Sequence, residues 1–212
     1  VVGWLRDELP KLLGAGEGGL RIVLRLSRNI QTQAEQEFNL RDGQVLVGFA
    51  PTGPVVFLEN GIRFEAEVIR GQKTGFFLDQ RENRQRIRQL AAGRTVLDAF
   101  CYTGGFSISA LAGGASEVLS LDSSASALAV AQRNISRHDL DARVRCVQTD
   151  LLDGLPAPVD LIVANPPYIP TGDAPDLAPE VRQYEPPRAL FAGPDGLQVV
   201  ARLVAQIGRA HV

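Results

Sequence analysis

The sequence predicts an α/β protein: a doubly wound parallel sheet preceded by a small α+β unit with an antiparallel hairpin. Three observations carry this. From residue 95 onward, short β-branched runs alternate with helical stretches; before that the runs have period two and meet at Asn60-Gly61; and polar residues collect at the ends of the later runs. Strand–helix repeats of this length impose a parallel sheet with right-handed crossovers.

Leu5 to Leu13 has helical spacing around Pro10, and a glycine-rich turn leads to the strand-like Leu20–Leu26. Short β runs follow at Val45–Val47, Val55–Leu58 and Ile62–Val68. Asn60-Gly61 suits a type I′ turn, because both residues tolerate positive φ. Alternation then puts Ile62, Phe64, Ala66 and Val68 on one face and leaves Arg63, Glu65 and Glu67 facing water. The doubly wound part is expected to comprise strand Thr95–Ala99, helix Phe106–Ala112, strand Val118–Leu121, helix Ser126–His138, and strands Val144–Val147 and Val159–Ala164. Ligands of such sheets sit at the carboxyl ends of the strands, beside the switch in strand order.

Composition excludes several classes. Hydrophobic residues at 45% and charged residues at 22% are ordinary for a globular chain. No run is long and apolar enough to span a bilayer, and the amino end lacks a signal pattern. Cys101 and Cys146 cannot form a disulfide framework and fit a reducing compartment. A cytoplasmic protein without membrane or metal partners is expected, and a net charge of −2 gives no global reason for nucleic acid.

The first strand ends in Asp98, followed by Phe100-Cys101-Tyr102-Thr103-Gly104-Gly105. Glycines let a backbone approach a ligand, and the next helix opens with free N–H donors. The dinucleotide pattern G-x-G-x-x-G is not there. Asp122-Ser123 closes the second strand, where an acid can accept from vicinal ribose hydroxyls. Asp150-Leu151 closes the third, placing a carboxylate and an apolar side chain where they can frame an adenine. Asn165-Pro166-Pro167-Tyr168 closes the fourth. Any one aspartate after a strand is also an ordinary cap or turn residue; it is the set in register that carries meaning.

Together these four strand ends resemble the class I S-adenosylmethionine (SAM)-dependent methyltransferases. The resemblance implies a Rossmann-like sheet and SAM as cofactor. Asp98 and the loop of Phe100, Tyr102, Thr103, Gly104 and Gly105 would take the methionine part. Asp122 with Ser123 would take the ribose, Asp150 with Leu151 the adenine, and Asn165 the reactive end.

Methyl transfer from a sulfonium is mainly a positioning problem. A planar NH₂ group is a weak nucleophile with two donors, which the Asn165 side-chain oxygen and the Pro166 carbonyl can accept. The prolines stiffen the loop, and Tyr168 offers a ring for stacking. Asn165, Pro166, Pro167 and Tyr168 therefore read as the catalytic set for N-methylation of a planar amide or amine.

Two finer resemblances divide the chain. Asn60–Val68, Gly71-Gln72-Lys73-Thr74-Gly75-Phe76-Phe77-Leu78-Asp79-Gln80-Arg81-Glu82-Asn83-Arg84 and the loop at 100–107 resemble large-subunit ribosomal RNA cytosine carbon-5 methyltransferases. From about Ala127, Val159–Pro170, Glu180-Val181-Arg182-Gln183-Tyr184-Glu185-Pro186 and Gly193-Pro194-Asp195-Gly196-Leu197 resemble release-factor N(5)-glutamine methyltransferases. The ribosomal RNA family is expected to show Asp at position 165, and its carbon-5 chemistry needs a cysteine nucleophile beyond the fifth strand. Cys101 and Cys146 read as packing residues.

The leading expectation is therefore glutamine methylation of a peptide chain release factor. Cytosine carbon-5 methylation of large-subunit (23S) ribosomal RNA is the alternative, and a non-catalytic RNA-binding module is a third reading. Arg81, Arg84, Arg86 and Arg88 fit either phosphate contacts or the solvated face of a helix. The chain has no methionine, and codons for Ile207–Val212 can match a sequencing adapter. The expected organisation is a small unit at 1–78, an incomplete methyltransferase domain at 79–206 ending after the fourth strand and its helix, and an artefactual tail at 207–212. A join of two genes near 126–134 and weakened SAM binding are further expectations.

Overall fold

The computed structural model describes residues 2–13, 19–26, 28–66, 68–69, 75–150, 158–177, 181–182 and 186–210. They form two compact units: residues 1–55, 66–75 and 178–184, and residues 56–65, 76–177 and 185–212. The blocks at Gly71–Thr74, Glu180 and Gln183–Glu185 that carry part of the two finer resemblances lie outside the described residues, as does His211.

In the first unit, helix α1 (Val2–Leu13) is followed by β1 (Ile22–Val23), helix α2 (Arg28–Phe38) and β2 (Val45–Val47), with β1 antiparallel to β2. Asp42 ties this unit together, accepting from the Leu26 amide at 2.7 Å and from Arg25 Nε at 3.2 Å. Among the described residues of helix α2 Ala34 alone is deeply buried, and Ile30 and Phe38, which share its stripe, are exposed. A stripe of three apolar residues in a polar run is too narrow to announce a helix in the sequence.

The second unit opens with β3 (Val55–Glu59) and β4 (Ile62–Ala66), a hairpin whose turn residues Asn60 and Gly61 adopt φ of 51° and 79°. Then come α3 (Arg81–Leu90), β5 (Thr95–Ala99), α4 (Gly105–Ala112), β6 (Glu117–Asp122), α5 (Ala125–Ser136), β7 (Val144–Gln148), β8 (Leu161–Ala164) and α6 (Gln198–Ala210). Four strands make one parallel sheet in the order β7-β6-β5-β8. The chain winds outward from β5 through β6 to β7, then returns to lay β8 on the other side of β5. The switch point therefore lies between β5 and β8.

Strand β5 is buried on both faces. Val96 packs with Ala91, Ala110, Leu111, Ala115 and Val118 on one side; Leu97 and Ala99 pack with Leu121 and Leu203 on the other. At the end of α4 a Cβ on Gly113 would stand 2.0 Å from the Arg88 carbonyl oxygen, so only glycine lets the chain pass α3 there.

Two expectations about charged residues are corrected. Glu65 does not face water: it is 3% exposed, and its carboxylate accepts from Arg133 Nε at 2.9 Å and Arg137 Nη2 at 2.5 Å. Burial pushes its carboxyl up, but the bonds and charges of the two arginines outweigh this and hold it below the usual range. Arg84 is on neither a solvated face nor a phosphate-contacting one. It is 4% exposed, donates to both Glu59 oxygens at 2.6 and 2.7 Å, and lies 4.3 Å above the Phe76 ring. Period-two and helical patterns assign faces, but a hairpin laid over the helices turns an outward face into an inner layer.

Candidate functional site

Asp98, the next-to-last residue of β5, is fully buried. Its Oδ2 accepts from the Ser107 amide at 2.9 Å and from Ser107 Oγ at 2.6 Å, and Ser107 Oγ continues to Ser120 Oγ at 2.7 Å. Oδ1 is buried with no hydrogen-bond partner. Burial, with the charge of Asp122 adding to it and Ser107 opposing, raises the carboxyl to about 7.

The loop beyond Asp98 alternates in and out of the left-handed region, with φ of 63° at Phe100, 50° at Tyr102 and 78° at Gly104. Such backbone costs about 1–2 kcal/mol for each non-glycine residue, so neighbours must hold it. The Cys101 amide donates to the Leu121 carbonyl at 2.9 Å and the Tyr102 amide to Asp122 Oδ2 at 2.9 Å. The Thr103 carbonyl accepts from Asn134 Nδ2 at 3.2 Å, and the Tyr102 ring lies 5.1 Å from that of Phe77. A Cβ on Gly104 would meet Ala131 Cβ at 3.2 Å, and one on Gly105 would meet Arg84 Cδ at 3.3 Å. Both glycines are thus closely packed by protein neighbours, and Gly104 is in left-handed backbone besides, a reason the sequence reading did not supply.

Asp122, the last residue of β6, has both oxygens engaged, the second taking the Ser124 amide at 2.8 Å. Ala99, Phe100, Leu121, Asp122, Ser123, Thr149 and Asp150 line a shallow cleft. Phe100, Asp122, Ser123 and Asp150 are thereby brought together, whereas Asp98, fully buried, is not among the lining residues. Asp150 is exposed, with Oδ2 3.6 Å from Arg202 Nη2. Leu151 lies outside the described residues.

Asn165-Pro166-Pro167-Tyr168 does not line this cleft, but β8 delivers it close by. Ala164 is in register with Ala99, so Asn165 leaves the sheet beside the Phe100 loop. Pro167 is buried, Asn165 is exposed, and Tyr168 is 67% exposed. The segment is pinned from behind: the Ile169 amide donates to the Leu190 carbonyl at 2.9 Å, and the Ala192 amide to the Ile169 carbonyl at 3.0 Å.

Asn134 and Ser107 were missed by the sequence reading. Asn134 is fully buried on the α5 face shared with Ala127, Ala131 and Ile135, and a lone polar residue on a buried stripe is the signal that would have found it. Cys101 is buried, and burial drives its thiol far above the ordinary range; Cys146 is raised for the same reason. Neither is poised as a thiolate.

Comparison with known proteins bears on this geometry. The sequence profile of the S-adenosylmethionine-dependent methyltransferase family matches residues 45–177, running through 126–134 and past Tyr168. A ribosomal RNA large subunit methyltransferase of Deinococcus radiodurans is 49% identical over 169 residues, covering 76% of this chain and 41% of that protein. Ribosomal RNA large subunit methyltransferase I of Serratia proteamaculans is 37% identical over 146 residues, covering 66% of this chain and 37% of that protein. The chain thus spans about two fifths of these relatives. The SAM-dependent methyltransferase from Agrobacterium tumefaciens shares the fold, with a TM-score of 0.52 at 23% identity over 59% of this chain and 44% of its own. The tRNA m1G37 methyltransferase of M. jannaschii does so at a TM-score of 0.51 and 17% identity, over 78% of this chain and 57% of its own.

These relatives overturn the leading expectation of glutamine methylation on a release factor. That reading rests on the expectation that Asn165–Tyr168 grips a planar donor group. A side-chain amide and a nucleobase both present one, so the tetrapeptide cannot choose between protein and RNA. A parallel sheet with aspartates at the carboxyl ends of β5 and β6, matched by one profile over residues 45–177, makes the chain a member of the S-adenosylmethionine-dependent methyltransferase family.

Proposed function

We propose that this chain forms the cofactor-binding part of a methyltransferase acting on large-subunit ribosomal RNA. The observation that carries the reading is the identity of 49% with the Deinococcus radiodurans protein of that name. Asp98, Tyr102, Thr103, Gly104 and Gly105 are the proposed seat of the methionine part, Asp122 and Ser123 of the ribose, and Asp150 and Leu151 of the adenine. The residues suit that cofactor: SAM carries an ammonium and a sulfonium, and Asp98 offers a buried carboxylate oxygen without a partner. Bound there, SAM supplies an electrophilic methyl group. The protein's part is to hold the acceptor in line with that methyl carbon and to keep water out.

Cytosine carbon 5 is the position the sequence resemblance names. That carbon becomes nucleophilic only after a thiolate adds to the ring, and Cys101 and Cys146, with their raised thiols, do not serve. One observation favours a second reading, an exocyclic base nitrogen: Asn165 stands where the carbon-5 family is expected to have aspartate, and a carboxamide oxygen with the Pro166 carbonyl suits an NH₂ group. The test is to supply labelled SAM and large-subunit ribosomal RNA to the full-length gene product, then digest the RNA to nucleosides. Label in 5-methylcytidine supports the first reading and label in an N-methylated nucleoside the second. Label absent from RNA sinks both.

A further inference from the structure

Beyond the strand-end residues, the second unit contains a cross-link whose members come from three elements. Asn134 of α5 is fully buried, and its carboxamide is used at both ends. Oδ1 accepts the Glu65 amide of β4 at 2.8 Å, and Nδ2 donates to the Thr103 carbonyl of the loop after β5 at 3.2 Å. One turn earlier on the same helix face, Ala131 is the atom group against which Gly104 closes. On either side of Asn134, Arg133 and Arg137 grip the Glu65 carboxylate. Further along, His138 Nε2 stands 2.6 Å from the Arg63 carbonyl.

The physical consequence concerns the loop. Thr103 lies between Tyr102 and Gly104, both in left-handed backbone, and an arrangement of that kind persists only where its surroundings over-determine it. Asp122 fixes the amide side of this stretch, through Tyr102, and Asn134 fixes the carbonyl side, through Thr103. A buried amide can serve as such a strut because leaving either end unpaired is costly.

We infer that Asn134 is a positioning residue for SAM, coupling the β3–β4 hairpin to the cofactor loop so that the hairpin braces the cofactor site. The inference rests on the cofactor site proposed above and is independent of the RNA substrate. Its role is indirect, through the Thr103 carbonyl.

The experiment is titration calorimetry of SAM into the full chain carrying Asn134→Asp. The change is nearly isosteric and keeps the oxygen that receives the Glu65 amide, but it sets a second oxygen against the Thr103 carbonyl. Loss of that strut is expected to weaken SAM binding about tenfold or more, at a temperature where circular dichroism shows the variant folded. Unchanged affinity overturns the inference. A purely structural role would lower the unfolding temperature and leave the affinity of the folded variant alone. Should the variant not fold, amide exchange on the unaltered chain decides, because coupling is reciprocal. SAM is expected to slow exchange of the Glu65 amide, and no change there overturns the brace. Asp122→Ala serves as the control for the site. If it too leaves SAM affinity intact, the site assignment falls and the brace with it; if it abolishes binding while Asn134→Asp does not, the brace alone falls.

Discussion

The two ends of the site are built differently. At the ends of β5 and β6, Asp98 is buried, Asp122 holds two backbone amides, and Asn134 props the loop between them. At the end of β8, Asn165 and Tyr168 stand exposed, and only the backbone behind them is pinned. The difference teaches where specificity resides. In the site proposed above, the cofactor would be met by preorganised backbone, and the acceptor by side chains that stand exposed. Changes on the first side should therefore move stability and SAM affinity, and changes on the second should move transfer alone.

The largest expected effect is on the first side. Arg84→Ala strips a buried ion pair and leaves Glu59 charged at 7% exposure. Breaking such a pair costs about 3–5 kcal/mol. Urea unfolding should show that loss; a change below about 1 kcal/mol would mean the hairpin layer contributes little, and the contrast would lose its rigid half.

Next comes Asp122→Ala. It removes the acceptor for the Tyr102 and Ser124 amides and, in the proposed site, for the ribose. Calorimetry should find SAM binding weakened about 100-fold, close to 2.7 kcal/mol. Retention of wild-type affinity would place the ribose elsewhere.

A smaller effect follows from Asp98. Its carboxyl sits at about 7 in the fold, against an ordinary 3.8. The folded chain therefore holds a proton that the unfolded chain has released, and this group's contribution to stability declines as pH rises between those values. Between pH 5 and pH 7 that amounts to about 2 kcal/mol. Glu65 acts in the opposite sense: its lowered carboxyl contributes stability above the ordinary range that is lost on acidification. Asp98→Asn should remove the decline, and urea midpoints at the two pH values will read it. Parallel wild-type and variant profiles would mean that Asp98 is ionised in the fold throughout.

Much of this was legible in advance, and the reasons are local. Strand β5 was read at its observed bounds because Thr95–Ala99 is a short apolar run between turn signals. Asn60-Gly61 announced its turn because φ is positive at both residues. What depends on layers was not legible. Glu65 and Arg84 carry charges that any periodicity assigns to solvent, and only the hairpin folded over α3 and α5 brings them their partners. The cross-links also reach the join expected near 126–134: Arg137, which follows it, bonds to Glu65, which precedes it, and Arg133 and Asn134 within it bond to Glu65 and Thr103. The acceptor was illegible for another reason, since the planar group that Asn165–Tyr168 is proposed to grip occurs on protein and RNA alike.

Tyr168 gives the finest test of the contrast. Its side chain is 67% exposed, so only the lesser part of its surface is buried in the fold. Aromatic stacking on a base is worth about 1–3 kcal/mol. Tyr168→Ala should accordingly leave the unfolding midpoint and SAM affinity within about twofold of the parent, while methyl transfer to large-subunit ribosomal RNA falls about tenfold. Tyr168→Phe should restore transfer, because the ring face and not the hydroxyl meets the base. If alanine lowers SAM affinity in step with transfer, the loop after β8 belongs to the cofactor side, and the division between a preorganised half and an open half does not hold.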